Sequence, residues 1–184
     1  RLVSKYAKNQ KYMLSLALAY LGTGDITYTL NQLDTALSFY KKGNLLLLQL
    51  SEAYPDSIQY KLILSQSYTR IGDVSGMYGY SNLGNTTMAI ACYNKSVEIL
   101  DQLISKDSDN AVLMNSLATS LSMLTSLYTV TGNYIEAIDK GYKSVASFEA
   151  LLSQEPNNYL NMTHNLLAKN ALREPLTEVL RPGE

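Results

Sequence analysis

The sequence has few of the residues that cross-link a fold or hold a metal. Its 184 residues include one cysteine (Cys92), one histidine (His164) and no tryptophan. One cysteine cannot form an internal disulfide, and it is compatible with a reducing compartment such as the cytoplasm. One histidine cannot supply both imidazoles of a histidine-pair metal site. We therefore expect no metal, no cofactor and no cross-link within the chain.

Long apolar runs and clustered charge are also missing. No run approaches the roughly 20 apolar residues of a membrane-spanning helix, so we expect no membrane insertion. The formal net charge is −1, and no basic cluster is present that could form a nucleic-acid footprint. The chain begins with Arg1 rather than methionine. We therefore expect a fragment or a processed product of a longer protein.

What the sequence does contain is one stretch that occurs three times without gaps, at residues 31–57, 84–110 and 132–158. Each copy begins with a residue that adopts a left-handed turn at little cost. These residues are Asn31, Gly84 and Gly132. Five positions later every copy has an alanine: Ala36, Ala89 and Ala137. The apolar residues that follow recur with the period of an α-helix, so the pattern predicts a helical repeat protein.

A second helical segment precedes each copy, so the chain reads as one domain over residues 1–184. It divides into three repeats and a capping half-repeat, at 9–56, 57–109, 110–157 and 158–184. We expect Ser57 and Asp109 to cap the helices that begin repeats two and three, because their side chains can accept free backbone N–H groups.

Repeat two differs from the other two. It is five residues longer, and it concentrates glycine around its middle, at Gly72, Gly76, Gly79 and Gly84. Glycine at this density lowers helix propensity. The first helix of this repeat should therefore stop near residues 76–80, and a loop should follow.

These repeats resemble tetratricopeptide repeats, which are stacked helix-turn-helix pairs. Repeat three carries the fullest match, at Leu121, Leu124, Tyr128, Gly132, Tyr134, Ala137 and Pro156. It departs from the family in three ways. Thr125 stands where a glycine is usual, Gly141 stands where an aromatic residue is usual, and Pro156 comes about two helical turns late, so the second helix is longer than is usual. The resemblance implies an all-α fold: a right-handed α-solenoid of about three long helix pairs with a C-terminal capping helix.

A narrower resemblance lies in repeat two. The segment YTRIGDV at 68–74, followed by Asn82, Leu83 and Gly84, is similar to long-helix tetratricopeptide segments of bacteria. Such segments are often appended to serine/threonine kinases, which implies that the chain belongs to a larger bacterial signalling protein.

The resemblance also implies that the first helices of the repeats line a concave groove that holds a protein or peptide. The positions of the family's carboxylate clamp hold Ser122, Met123 and Ser126 here, so that clamp is missing. The candidate contacts are instead small hydroxyls of repeat three and a tyrosine-rich patch of repeat two. They are Thr119, Ser122, Ser126 and Thr129, and Tyr68, Arg70, Asp73, Tyr78, Tyr80 and Asn82. Alternatively, these tyrosines only seal the helix pair and its loop.

The function expected from the sequence is a non-catalytic scaffold that binds a protein or peptide partner. A Cys92–His164 catalytic pair would have to meet across more than one repeat, which a solenoid disfavours. Gly22-Thr23-Gly24-Asp25 completes no phosphate-binding motif, and we interpret it as a small-residue patch where two helices approach closely. Three alternatives stay open: a domain that senses a peptide or small molecule, a homo-oligomerisation or spacer module, and an enzyme with an unrecognised helical site.

Overall fold

The computed structural model describes residues 9–181, and every regular element in that range is an α-helix. In order these are α1 (Gln10–Thr29), α2 (Leu33–Ala53), α3 (Ile58–Gly76), α4 (Thr86–Ile104), α5 (Ala111–Val130), α6 (Tyr134–Gln154), α7 (Tyr159–Ala171) and α8 (Arg173–Leu180). No strand occurs among these residues. Helix α2 packs on α1 and on α3, and helix α6 packs on α5 and on α7. The all-α, helical-repeat prediction is confirmed. The ends of the predicted domain, residues 1–8 and 182–184, lie outside the described range.

Five helices begin at a polar residue whose side-chain oxygen accepts a backbone N–H from the first turn. These caps are Asn9, Ser57, Asn85, Asn110 and Asn158. Such a side chain satisfies one of the free amide donors of a helix start. The prediction of Ser57 is confirmed, whereas that of Asp109 is wrong by one residue. Asn110 takes the position because its oxygen reaches the amides of both Val112 and Leu113.

The three copies of the recurring stretch have the same backbone at their first position. Asn31, Gly84 and Gly132 all have positive φ, at 59°, 72° and 75°. Among non-glycine residues, asparagine is one of the few that adopts this region at little cost. The left-handed turn predicted at these positions is confirmed.

The alanines five positions later are also equivalent. Ala36, Ala89 and Ala137 are each 0% exposed, and each amide donates to the carbonyl four residues earlier. The same residue therefore meets a fully packed environment in all three copies. The three stretches are structurally equivalent at this position, as a repeat requires.

The chain divides into two compact units, with the division between Ile99 and Leu100 inside α4. In the N-terminal unit, α1 packs on α2 and α2 on α3. Polar contacts add to this packing, since Asn44 donates to the Ser67 hydroxyl at 2.9 Å, and the hydroxyls of Thr69 and Ser96 are 3.1 Å apart. The buried core is Ala17, Leu21, Ala36, Tyr40, Leu47, Leu64, Ile71 and Val74.

Two helix pairs of this unit bring a glycine against a tyrosine ring. A Cβ added to Gly24 would lie 2.4 Å from the Tyr40 ring, and one added to Gly72 would lie 3.0 Å from the Tyr93 ring. Both glycines occupy the same position in their repeats. The close approach predicted for the patch at residues 22–25 is confirmed at Gly24 but not at Gly22, where an added Cβ would meet nothing within 4 Å. At Gly24 and Gly72 the tyrosine ring takes the volume of the missing side chain.

In the C-terminal unit, other residues fill the equivalent space between the two helices. In α5 the position of Gly24 and Gly72 is taken by Thr125, and in α6 the position of the tyrosines is taken by Gly141. Leu172, which is 5% exposed, occupies the remaining volume, because a Cβ on Gly141 would lie 2.4 Å from its side chain. The two departures from the repeat pattern thus compensate each other, with Leu172 completing the packing. The core of this unit is Ala118, Val145, Phe148, Leu151, Ala168 and Leu172.

Candidate partner-binding site

In the N-terminal unit, the Asp25 carboxylate ties three helices together. It lies on α1 and accepts a hydrogen bond from the Tyr40 hydroxyl of α2 at 2.9 Å. Arg70 of α3 donates to the same carboxylate through Nε at 2.9 Å and through Nη2 at 3.3 Å. A two-pronged arginine–carboxylate contact fixes orientation as well as distance. Arg70 is therefore held in place by the first repeat.

A second carboxylate, Asp73, lies one helical turn beyond Arg70 and accepts a hydrogen bond from the Tyr93 hydroxyl of α4. Burial raises the pKa of the Asp73 carboxyl to about 6, while the hydrogen bond from Tyr93 and the Arg70 guanidinium act in the opposite direction. Burial also raises the pKa of Tyr93, and the Asp73 charge adds to this effect. The pair is an internal contact that fastens α4 to α3.

The loop at residues 77–85 is fixed by one asparagine side chain. The amide nitrogen of Asn82 donates to the carbonyls of Met77 and Tyr80, at 2.9 and 2.8 Å, and its oxygen accepts from the Gly84 amide at 2.7 Å. The Tyr28 hydroxyl of α1 donates to the Ser81 carbonyl at 3.2 Å. The loop predicted after Gly76 is present, and it is held both internally and by α1.

Two tyrosines of this loop face solvent. Tyr78 is 64% exposed and Tyr80 is 65% exposed. Burial raises the pKa of Tyr28, and the Asp73 charge and the Tyr80 phenol add to this effect. The loop therefore presents two aromatic side chains on a backbone that is already ordered.

The six residues predicted as contacts in repeat two have different roles in the structure. Tyr68 is half-buried and packs on the core of the N-terminal unit. The polar groups of Arg70, Asp73 and Asn82 form hydrogen bonds within the chain. Only Tyr78 and Tyr80 present most of their surface to solvent, so they are the residues of this patch best placed to contact a partner.

The predicted hydroxyl set of repeat three lies in the C-terminal unit. Thr119 and Thr129 donate to carbonyls four residues earlier in α5, at 2.9 and 2.8 Å, and Ser126 does the same at 3.4 Å. Thr119, Ser122 and Ser126 are half-buried, whereas Thr129 is only 7% exposed. A hydroxyl that donates to a carbonyl of its own helix can take part in further hydrogen bonds only as an acceptor. Thr129 has little surface left for a partner.

The residues considered for chemistry are held in packed surroundings. Burial raises the pKa of the Cys92 thiol, which disfavours the nucleophilic thiolate. The His164 ring lies 5.6 Å from the Phe148 ring, and its Nδ1 is buried without a hydrogen-bond partner. Over residues 9–181, no three His, Cys, Asp or Glu side chains lie together as metal ligands would. Within the same range, no helix combines the length and apolarity needed to cross a bilayer.

Sequence reasoning missed Asp25, Tyr28, Tyr40 and Tyr93 as members of this network. A signal was available, because Gly-Asp recurs at the same position of the first two repeats, at 24–25 and 72–73. The second helix of each of these repeats has a tyrosine at one fixed position, Tyr40 or Tyr93. The third repeat has neither the Gly-Asp pair nor the tyrosine. This joint absence indicates that the glycine, the aspartate and the tyrosine act together.

Comparison with known proteins gives little further guidance. No protein-family model matches the chain, and no curated protein matches its sequence. Among solved structures, the crystal structure of MamA protein is 16% identical, with 92% of this chain and 98% of that chain covered and a TM-score of 0.27. A similarity at that level does not bear on function.

Proposed function

We propose that this chain is a tetratricopeptide-type scaffold, without catalytic activity of its own, that holds a segment of another protein. The observation that carries the family assignment is the equivalence of the three copies. Each has a left-handed residue at its start and a fully buried alanine five positions later. Helix pairs repeated in this way bury a shared core while leaving helix faces and loops free for contacts.

The proposed contact in the N-terminal unit is the loop that carries Tyr78 and Tyr80. Tyrosine offers a large contact area with few rotatable bonds, and it is enriched where interfaces concentrate their binding energy. Because Asn82 and Tyr28 already order this loop, binding would cost less conformational entropy than closing a free loop. Arg70 and Asp73 would hold α3 against α1 and α4 rather than bind the partner.

The hydroxyls of α5 form a separate proposed contact in the C-terminal unit. Thr119, Ser122 and Ser126 are half-buried and can accept hydrogen bonds from the backbone N–H groups of an extended peptide. Such contacts would be tolerant of the peptide's side chains. The tyrosines would therefore contribute more to selectivity than these hydroxyls.

The test is selection of peptides from a random display library on the immobilised chain, followed by titration of the enriched peptides. Replacing both Tyr78 and Tyr80 with serine should weaken binding by tenfold or more, about 1.4 kcal/mol. Tyr142→Ser is the matched control, because Tyr142 is 56% exposed on α6, and it should leave the affinity unchanged. Enrichment of no peptide, or equal affinity for the double variant, would refute the loop as a binding site.

The wider setting that we propose is a larger bacterial signalling protein acting in the cytoplasm. It rests on the segment at 68–74 with its following Asn82-Leu83-Gly84, and on an unpaired thiol at Cys92 that suits a reducing compartment. The reading frame that encodes the chain tests this directly. A serine/threonine kinase domain in the same frame would support it, and a secretion signal in that frame would contradict it.

A further inference from the structure

The first helices of the repeats, α1, α3, α5 and α7, share one face that only α1 leaves uncovered. Counted from the cap residue, positions 3, 7 and 10 are buried in the other three helices. These residues are Tyr60, Leu64 and Ser67 in α3, Leu113, Leu117 and Ser120 in α5, and Asn161, Asn165 and Ala168 in α7. In α1 the same positions hold Tyr12, Leu16 and Ala19, and all three are exposed. We call these positions the stacking face.

In α3 and α7 the preceding repeat contacts the stacking face. Helix α3 packs on α2, and helix α7 packs on α6. At position 10 of α3, the Ser67 hydroxyl accepts a hydrogen bond from Asn44 of α2 at 2.9 Å. At position 3, the Tyr60 ring lies 5.8 Å from the ring of Tyr54, the residue that follows α2. The stacking face therefore belongs to the contact between one repeat and the next.

A different face of a first helix contacts the second helix of its own repeat. Ala17, at position 8 of α1, is 0% exposed, and a Cβ added to Gly43 of α2 would lie 3.1 Å from its carbonyl oxygen. In α7, which is followed by the eight-residue α8, position 8 is Leu166 and is 60% exposed. Helices α1 and α7 thus expose opposite faces. Within residues 9–181, α7 lacks a long helix after it and α1 lacks a repeat before it.

The exposed stacking face of α1 has the composition of an interface. Terminal repeats of a solenoid carry a polar outer face, whereas Tyr12 and Leu16 present large apolar side chains, 54% and 38% exposed. The pattern continues at position 17, where Ile26 is 64% exposed and its counterparts Val74 and Leu127 are 0% and 2% exposed. Apolar residues left exposed at contact positions indicate a partner.

The sequence before Asn9 indicates which partner this is. Seven residues before the cap of each later first helix, the preceding second helix has a leucine that is 1–3% exposed. These are Leu50, Leu103 and Leu151, and the same position before Asn9 holds Leu2. Tyr6 corresponds in the same way to Tyr54, so Tyr6 and Tyr12 repeat the spacing of the contacting pair Tyr54 and Tyr60. Residues 1–8 therefore match the sequence with which a second helix of this repeat ends.

We propose that the stacking face of α1 binds the second helix of one further repeat of the same type, whose last residues are 1–8. Eight residues of helix span about 12 Å, whereas Tyr12 and Ile26 are about 21 Å apart along α1. The covering helix therefore extends upstream of Arg1 in the same polypeptide. The proposal is independent of the partner proposed above, since it uses no residue of the loop at 77–85.

The reading frame that encodes the chain gives the first test. In all three copies of the recurring stretch, a residue of positive φ lies 26 residues before the next cap, and an alanine lies 21 residues before it. The frame should therefore encode glycine or asparagine 26 residues before Asn9 and alanine 21 residues before it. A frame that begins later than this, or that lacks either residue, would refute the proposal.

Thiol labelling of Ile26→Cys, with Cys92 replaced by serine, tests the contact itself. In the chain that begins at Arg1, this cysteine should react with a maleimide at the rate of an exposed thiol. The second protein is extended upstream to include 48 natural residues before Asn9, the length of repeats one and three. There the rate should fall at least tenfold, because the added helix covers position 17. Equal rates in the two proteins would overturn the proposal.

Leu45→Cys in the same background is the matched control. Leu45 is 56% exposed in the middle of α2, and its counterparts Glu98 and Ala146, in repeats that have a predecessor, are also exposed. Its labelling rate should therefore not change with the extension. If a second copy of the chain occupied the face instead, labelling of Ile26→Cys in the shorter chain would slow as concentration rises. That result would also overturn the proposal.

Discussion

At the scale of single residues, the repeat depends on where a Cβ atom can be placed. Gly22 and Gly24 are two residues apart in α1, yet their surroundings differ completely. A Cβ at Gly22 would meet nothing within 4 Å, whereas one at Gly24 would lie 2.4 Å from the Tyr40 ring. The hydroxyl of Tyr40 donates a hydrogen bond to the Asp25 carboxylate. Gly24 is therefore required for the position of Tyr40, and through Tyr40 for its hydrogen bond to Asp25.

These two glycines give a matched pair of substitutions. Gly24→Ala should lower the free energy of unfolding by about 1–3 kcal/mol, the usual cost of forcing extra volume into a packed site. Gly22→Ala should raise it by about 0.5–1 kcal/mol, because alanine costs less conformational entropy inside a helix. Urea denaturation followed by circular dichroism measures both. Equal effects of the two substitutions would contradict the packing described for Tyr40.

The buried Asp73 carboxyl predicts how stability depends on pH. Its folded-state pKa, about 6, lies above the ordinary value of 3.8, so the folded chain binds a proton that the unfolded chain releases between these values. The contribution of Asp73 to stability is therefore most favourable below pH 3.8, and it declines as pH rises towards 6 and above. In Asp73→Asn this decline is removed, while the amide oxygen can still accept from Tyr93.

The expected result is a difference in unfolding free energy, variant minus wild type, that grows with pH through this window. Its growth should be at most about 3 kcal/mol, at 1.36 kcal/mol per pH unit. Denaturant titrations of both proteins at a series of pH values provide the measurement. Tyr93→Phe should move the wild-type decline to higher pH, since it removes a hydrogen bond that lowers the pKa of Asp73. A difference independent of pH would show that Asp73 is not the responsible group.

At the scale of helices, the last packing layer depends on a residue outside the recurring pattern. Leu172 lies between α7 and α8 and occupies the volume that Tyr40 and Tyr93 fill in the earlier pairs. It is 5% exposed, beside Thr125 and Gly141. The short C-terminal elements therefore complete the core of the C-terminal unit as well as covering it.

Leu172→Ala should accordingly destabilise the C-terminal unit by about 2–5 kcal/mol, the range for truncating a buried leucine. The control is Leu180→Ala, since Leu180 is 77% exposed on α8, and it should change stability by less than about 0.5 kcal/mol. Thermal melting of both variants distinguishes them. Similar melting temperatures would mean that Leu172 does not fill the space beside Gly141.

The helices themselves were readily predicted from the sequence, and their contacts were not. The left-handed turns at Asn31, Gly84 and Gly132 follow from residue type and a fixed spacing, which local sequence determines. The fitting of Leu172 against Gly141 depends on two residues 31 positions apart, and no periodic pattern includes it. Of the site, the loop with Tyr78 and Tyr80 was predicted because glycine marks it.

The side-chain contacts between the helices were the part of the site that sequence reasoning missed. The pairing of Arg70 with Asp25 joins two repeats, and it becomes visible only when the helices are placed. A charged residue on a predicted helix can equally face solvent. The sequence therefore identified Arg70 as a candidate contact, whereas the structure shows its guanidinium already engaged within the chain.

At the scale of the whole molecule, stability should be distributed locally, because a repeat protein is stabilised mainly within its repeats and between nearest neighbours. A substitution in α1 and one between α7 and α8 act on different cores, those of the N-terminal and C-terminal units. Sub-global opening of one region without the other is then expected, as in other repeat arrays.

Native-state hydrogen exchange measures this directly. Gly24→Ala should accelerate amide exchange in α1 and α2 more than in α6 and α7, and Leu172→Ala should do the reverse. The wild type supplies the reference rate for every peptide. A uniform increase throughout residues 9–181 for both variants would show that the chain opens only as a single cooperative body.

The space between the two helices of a pair is filled by tyrosine in the first two repeats and by Leu172 in the third. This difference restricts how helices of this chain could be exchanged between repeats. A first helix that carries Gly-Asp needs a second helix with tyrosine, as α1 needs α2 and α3 needs α4. Helix α5 has Thr125 in place of this glycine. It therefore fits only a second helix without the tyrosine, such as α6, which has Gly141 at that position. Exchanging single helices between repeats would create either a collision or a void, so a chimaera built from these modules has to transfer each hairpin whole, and the third hairpin together with Leu172.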